Sequence, residues 1–203
     1  MPTLVLASAS PARLATLRSA GVDPVVQVTD LDEEAVLASA GPLSPAEAVL
    51  TLARAKAEHA AALPHVVGDV VLGCDSMLEL DGLVLGKPSD ADDARRRWRA
   101  MRGRSGVLHP GHWLVRGDDA VGATSSTVVH FAALDDAEID AYVATGEPLG
   151  VAGAFTIDGL GGAFVSRIEG DHHGVVGVSL PLVRELLAQL DMSITDLWSL
   201  VRG

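Results

Sequence analysis

Short apolar runs alternate with helix-period stripes along this chain, and capping chemistry marks the joints between them. Residues 4–7 form an apolar run, read as a buried strand. Ser10-Pro11 then opens a helix, with Ser at the N-cap and Pro at the first helical position, and Gly21 ends it. Residues 24–28 read as a second strand, followed by an acidic loop over residues 30–34. Ser44-Pro45-Ala46-Glu47 is a capping box, so a long helix runs from there towards Leu63. Residues 66–74 form an apolar strand that ends at Asp75. Residues 77–80 and 83–85 flank Asp81-Gly82, a tight hairpin signal, and Gly86-Lys87-Pro88 closes it. Ser89 and Asp92 cap an arginine-rich helix that stops near Gly103.

Strand-like segments follow over residues 109–115 and 127–131. Asp135 with Glu138 caps a helix that Gly146 ends, residues 154–157 and 163–168 are further strand candidates, and residues 179–190 form the last long helix. Strands and helices interleave throughout, which predicts an α/β fold, and the hairpin signals make its sheet mixed. No linker, low-complexity segment or clear repeat interrupts the pattern, so residues 1–203 are expected to form a single domain.

Composition adds limits. Apolar residues make up 48% of the chain but aromatics only 3%, so the core must be built from Val, Leu and Ala. A net charge of -12 argues against a nucleic-acid or anionic-membrane partner. Any phosphate site must therefore be a local basic focus. The single cysteine, Cys74, excludes an intrachain disulfide and reads as a small buried hydrophobe. No run reaches membrane-spanning length and no signal-type segment opens the chain, so a cytoplasmic protein is expected.

The basic residues are lopsided: of fifteen, only Lys56 and Lys87 are lysines. Lys offers a compact point charge suited to phosphate oxygens, whereas Arg offers a planar fork. Lys56 lies in the apolar stripe of its helix, where it must snorkel to water or reach an anion. Lys87 sits between Gly86 and Pro88, ahead of a helix, without the glycine spacing of a P-loop. In Ser8-Ala9-Ser10-Pro11-Ala12-Arg13 a strand runs into a helix N-terminus through a hydroxyl-lined turn. It reads either as an anion site with Arg13 as an added fork, or as a plain cap. Asp75 reads either as a turn residue or as a carboxylate at a strand end, where open α/β sheets place their sites. With Glu33 it could hold a divalent metal, since Mg²⁺ favours one or two carboxylates plus phosphate oxygens. His109 and His112 lack a third ligand nearby and read as structural, and His172-His173 beside Asp171 reads as a polar loop.

Together these pieces resemble the Maf family of nucleoside triphosphate pyrophosphatases. The matching residues run in order: Leu6-Ala7-Ser8-Ala9-Ser10-Pro11 with Arg13, Asp32-Glu33, Ala53-Arg54-Ala55-Lys56-Ala57, Gly73-Cys74-Asp75-Ser76 and Leu85-Gly86-Lys87-Pro88. Gly103-Arg104 with His109, Gly146-Glu147-Pro148, Ala152-Gly153-Ala154-Phe155, Gly170-Asp171 and Leu180-Pro181 continue the series. The resemblance implies a curved mixed sheet with helices packed around it in two lobes, similar to inosine triphosphatases, and a homodimer. It implies hydrolysis of a nucleoside triphosphate to monophosphate and pyrophosphate, assisted by a divalent cation, Mg²⁺ or Mn²⁺. By position, Asp75 would be the general base and a metal ligand with Glu33. Ser8, Ser10, Arg13, Lys56 and Lys87 would hold the triphosphate.

Three positions depart from the thymidine- and uridine-triphosphate type of that family: Ala12 replaces an Arg, Ser76 a Thr and Asp158 a Gln. These are the candidate specificity residues. The rival from another class is a non-catalytic nucleotide-binding regulator of septum formation. Retention of Asp75, Glu33 and both lysines argues against pure binding.

Overall fold

The computed structural model describes residues 2–66 and 70–199. Its strands are β1 (Leu4–Ala7), β2 (Val25–Val26), β3 (Val70–Leu80), β4 (Leu83–Leu85), β5 (Ser105–Arg116), β6 (Asp119–Thr124), β7 (Thr127–Phe131) and β8 (Val165–Glu169). Its helices are α1 (Pro11–Ser19), α2 (Glu33–Ala40), α3 (Pro45–Ala61), α4 (Ala91–Met101), α5 (Asp136–Ala144), α6 (His172–Val176) and α7 (Leu180–Gln189). One mixed sheet runs in the order β2-β1-β3-β5-β7-β8, with β4 also on β3 and β6 also on β5. The α/β class and the mixed sheet are as expected.

The long strands β3 and β5 run through both halves of the molecule. Even-numbered side chains of β3 face two apolar clusters in turn. Leu72 and Cys74 join Leu4, Leu6 and Leu187 in one. Leu78 and Leu80 join Trp98, Phe131, Tyr142 and Phe155 in the other, so the few aromatics gather in one lobe and the core is not Val, Leu and Ala alone as expected. The two clusters are the two lobes, and Ser76 lies between them. On the opposite face α3 lies close against the sheet. A Cβ on Gly73 would stand 2.0 Å from the Ala53 carbonyl oxygen, and one on Gly111 would stand 2.5 Å from Val49 backbone atoms. Only glycine permits that approach, and it sets the height of α3 over β3.

The sheet has a gap at its middle. β1 pairs with β3 only as far as Ala7 opposite Gly73. β4 pairs with β3 only from Leu78. Residues 74–77 therefore present a strand edge that neither neighbour covers. β1 is also where the chain turns outward to β2 on one side and returns to β3 on the other, the switch point at which open α/β sheets form a crevice.

Several expectations change. β3 does not end at Asp75 but continues to Leu80, because β5 pairs with it from Val70 to Glu79, including Asp75 opposite Gly111, and β4 pairs with its last three residues. Residues 67–69 of the expected strand lie outside the described residues. The acidic segment is a loop only to Leu31: Asp32 accepts a hydrogen bond from the Ala35 N–H and caps α2, so Glu33 stands in a helical first turn. Asp90, not Ser89 or Asp92, caps α4. Residues 154–157 make no strand, since the Ala154 carbonyl accepts from Trp98 Nε1 at 2.7 Å and is lost to any ladder. β6 was not anticipated, and Asp171 caps the short helix α6 where a polar loop was expected.

His109 and His112 point to opposite faces of β5, which excludes them as a metal pair. His109 bonds Ser126 Oγ and Glu79 Oε2. His112 is fully buried. Its Nδ1 faces the Pro110 carbonyl and its Nε2 accepts from the Ser179 N–H, tying β5 to the cap of α7. Burial, aided by the charge of Arg13, pushes its pKa down to about 4 from an ordinary 6.5. Between those values the unfolded chain binds a proton that the folded chain refuses, so stability falls as pH drops through that window. By pH 5 the expected loss from this group is about 2 kcal/mol. Urea midpoints at pH 7.5 and 5 should fall more for the wild type than for His112→Gln. Equal falls would mean that His112 is not the group responsible.

Candidate active site

The gap beside residues 74–77 opens into a cavity of about 550 Å³. β1 delivers the chain to it at Ser8, and α1 starts on its rim. Ser10 caps α1, its Oγ accepting from the Arg13 N–H, while Ser8 Oγ accepts from the Ser10 N–H. The Ala12 amide in the first turn has no intrahelical acceptor, so this end of α1 offers a donor and a positive dipole to an anion.

Arg13 fills the gap in the sheet. Its Nη1 donates to the Cys74 carbonyl and to Ser8 Oγ, both at 2.9 Å. Nη2 donates to Ser76 Oγ and Nε to the Gly177 carbonyl, again at 2.9 Å. Four of the five guanidinium donors are thus engaged inside the protein. Arg13 stands in for the missing strand at Cys74 and ties the turn to β3 and to the end of α6. Among the described residues the fifth donor, on Nη2, makes no hydrogen bond.

Opposite this turn, α3 brings Lys56 over the sheet. Its ammonium lies 2.6 Å from Asp75 Oδ1 and 2.8 Å from Glu33 Oε1. The lysine and aspartate side chains are only 12% and 14% exposed, so these charges sit largely out of water, where a pair is screened little. Lys56 therefore does reach an anion, in this state two carboxylates of the protein itself. Among the described residues no hydrogen bond is made to Asp75 Oδ2, which leaves that oxygen for another partner. Lys87 lines the same cavity on the far side. It is exposed and has no ion pair among the described residues.

The cavity brings all the sequence candidates together. Ser8, Ser10, Arg13, Lys56 and Lys87 line it with Glu33 and Asp75, and Ala12, Ser76 and Asp158 do so as well. One further wall, from Gly150 to Asp158, includes Val151, Ala152, Phe155 and Thr156, none of them a site candidate in the sequence. Ala152 and Phe155 fall in a matching motif without a role of their own; hydrogen bonds from Trp98 to the Ala154 carbonyl and to Glu147 from Thr156, Leu160 and Gly161 hold this loop against the cavity. Cys74 beside Asp75 is inert by the same geometry: burial pushes its thiol up to about 11, so it stays protonated.

As a metal site the donor set is small. No group of three His, Cys, Asp or Glu side chains among the described residues is placed to hold an ion. Glu33 and Asp75 converge on one point, the Lys56 ammonium. Two hard carboxylates fit Mg²⁺, which takes its other ligands from phosphate oxygens and water.

The family model described as Maf-like protein matches residues 3–190. This chain belongs to the Maf family. Among its relatives, a protein of Streptomyces coelicolor named nucleoside triphosphate pyrophosphatase is 57% identical over 97% of this chain and 94% of its own. A protein of the same name from Rhodococcus jostii is 54% identical over 98% and 97%. Another from Salinispora tropica is 57% identical over 97% and 87%. Among solved structures, a Ham1 protein of Staphylococcus aureus covers 97% of this chain and 93% of its own at 16% identity. Its TM-score of 0.46 is too low to bear on the site. For a Maf protein the arrangement is economical: one gap in the sheet gathers the hydroxyl turn, the lysine of α3 and both carboxylates. No helix among the described residues is long and apolar enough to cross a membrane.

Proposed function

We propose that this chain hydrolyses the α–β phosphoanhydride of a (deoxy)nucleoside triphosphate, releasing the monophosphate and pyrophosphate. The observation that carries the reading is the facing of an anion-binding turn and a lysine–carboxylate cluster across one cavity. The names of the relatives support the reaction class.

The triphosphate is received by Ser8, Ser10 and the first turn of α1, with Lys87 from the other side. Lys56, held ready by its two carboxylates, turns its ammonium towards phosphate oxygens and neutralises charge on the leaving pyrophosphate. Asp75 takes the proton of the attacking water, whose oxygen bonds to the α-phosphorus as the bridging oxygen leaves with the β-phosphate. A divalent cation, Mg²⁺ or Mn²⁺, held by Glu33 and Asp75 would supply further neutralisation of the triphosphate. Glu33→Gln should accordingly raise the Mg²⁺ concentration needed for half-maximal rate more than it changes the nucleotide KM.

The decisive assay is purified protein with Mg²⁺ and a panel of nucleoside triphosphates. Monophosphate and pyrophosphate are the expected products. Diphosphate plus orthophosphate would refute the α–β reading. Tight nucleotide binding without any product would favour the regulatory alternative.

Lys56→Arg and Lys87→Arg should each lower kcat/KM at least about tenfold although charge is kept, because a planar fork cannot replace a compact ammonium among phosphate oxygens. Full activity in both would leave the scarcity of lysine without functional meaning. Base preference is proposed to turn on Ala12, Ser76 and Asp158. An ionised Asp158 only accepts hydrogen bonds, so it would favour donor-rich edges such as guanine or cytosine over thymine and uracil. The measurement is kcat/KM across the common nucleotides for wild type and Asp158→Gln; an unshifted preference for dTTP and UTP removes Asp158 from the base pocket. A homodimer and a cytoplasmic location belong to the same reading. The exposed Val25, Val26 and Val28 at the sheet edge support the dimer by offering an apolar border, and sedimentation velocity tests it.

A further inference from the structure

Glu147 does not line the cavity, yet it is the most heavily engaged carboxylate near it. The chain leaves α5 through Gly146, whose φ of 77° is left-handed, and Glu147 opens a 3₁₀ turn that runs to Gly150. The side chain then accepts hydrogen bonds from both ends of residues 156–161. Oε1 accepts from Thr156 Oγ1 and, at 3.0 Å, from the Gly161 N–H. Oε2 accepts from the Leu160 N–H at 3.0 Å. Tyr142 Oη completes the set: it donates to Oε1 at 3.0 Å and accepts from the Thr156 N–H at 3.2 Å.

The segment is shaped to this carboxylate. A Cβ on Gly159 would lie 2.7 Å from Glu147 Oε2, and one on Gly161 would lie 2.4 Å from Tyr142 Oη. Only glycines let the backbone close around the two polar groups. Burial raises the carboxyl pKa, but the hydrogen bonds from Thr156, Leu160, Gly161 and Tyr142 outweigh it and hold it below the ordinary value. Burial also pushes the Tyr142 phenol up to about 12, so it remains a donor. The pair stays an anion and a neutral hydroxyl across the physiological range.

What the pair holds is one wall of the cavity. Thr156 and Asp158 belong to the held segment and line the cavity with Val151 and Phe155. The phosphate-binding turn, Lys56 and Asp75 come from other elements. We infer that Glu147 is a positioning residue for base recognition, fixing residues 156–161 in the shape that presents Thr156 and Asp158 to the nucleobase. This rests on the pyrophosphatase reading. It adds that discrimination among bases depends on a residue that touches neither base nor phosphate.

The test compares wild type, Glu147→Gln and Tyr142→Phe on the nucleotide panel and on ribose 5-triphosphate, which carries the same scissile bond without a base. In Glu147→Gln an amide NH₂ would face N–H donors, so the segment must rearrange. The expected result is a rise of about tenfold in KM for the preferred nucleotide and a narrowed ratio of kcat/KM between bases, with kcat little changed. Turnover of ribose 5-triphosphate should be unaffected. An equal loss on every substrate, ribose 5-triphosphate included, would overturn the inference, as would no change on any. Tyr142→Phe removes one hydroxyl and should shift the base ratio in the same direction. Should Glu147→Gln not fold, an unshifted ratio in Tyr142→Phe is the overturning result. Failure of the pyrophosphatase reading looks different: the wild type itself would release no pyrophosphate from any nucleotide, and the inference would fall with it.

Discussion

Replacing Asp75 by asparagine is expected to lower kcat by about 10²–10⁴-fold while nucleotide binding changes far less. The substitution keeps the shape of the side chain and an oxygen that can still accept from Lys56 Nζ, now 2.6 Å from Oδ1. It removes the negative charge and the capacity to take a proton at neutral pH. Lys56 would retain Glu33 at 2.8 Å, so the ammonium is not left unpaired and the local fold should hold. Single-turnover rates at saturating nucleotide, with thermal unfolding as the control, separate chemistry from stability. Near-normal turnover would demote Asp75 to a structural partner of Lys56. A large loss of both turnover and stability would mean that the ion pair, rather than the base, had been measured.

Much of the frame was legible because its signals are local. Ser10-Pro11, the Ser44 and Asp135 capping boxes and the Asp81-Gly82 hairpin each complete their chemistry within four residues, and each is found where expected. Elements whose reason lies elsewhere in the chain were missed. α2 buries no residue, so no apolar stripe announces it behind its acidic first turn. Asp75 looked like a strand terminus because the apolar run stops there, but β5 supplies a ladder partner from thirty-six residues away. The site divides the same way. The residue types at Ser8, Lys56, Asp75 and Lys87 were readable as phosphate and carboxylate chemistry. That Arg13 spends four donors on Ser8, Cys74, Ser76 and Gly177 was not, since three of those partners are distant in sequence. Glu147 was visible only as part of a motif, because its partners at residues 156–161 meet it only in the folded chain.

Gly73→Ala should be the most damaging substitution that adds a single carbon. The new Cβ would stand 2.0 Å from the Ala53 carbonyl oxygen, 2.8 Å from the Ala57 amide nitrogen and 2.9 Å from the Ala57 Cβ. Two of these are backbone atoms in the middle of α3, so no side chain can swing aside to relieve them. Either α3 lifts from β3 or β3 buckles away from β1 and β5, and both routes open the packing of Val5, Ala57, Ala60 and Val71. Overpacking of this kind costs about 3 kcal/mol or somewhat more, which for a chain of this size lowers Tm by about 10 °C. Function should suffer beyond stability. Lys56 stands next to Ala57 on the lifted turn, and Asp75 lies two residues along β3 on the same face. A shift of about 1 Å between them would part the ammonium from Asp75 and misplace it for the phosphates, a displacement that costs about 10²-fold in rate. Measured well below the lowered Tm, kcat/KM should therefore still be depressed. A variant with wild-type Tm would show that α3 does not lie this close to the sheet. One with a lowered Tm but full activity would separate the height of α3 from the chemistry of Lys56 and Asp75.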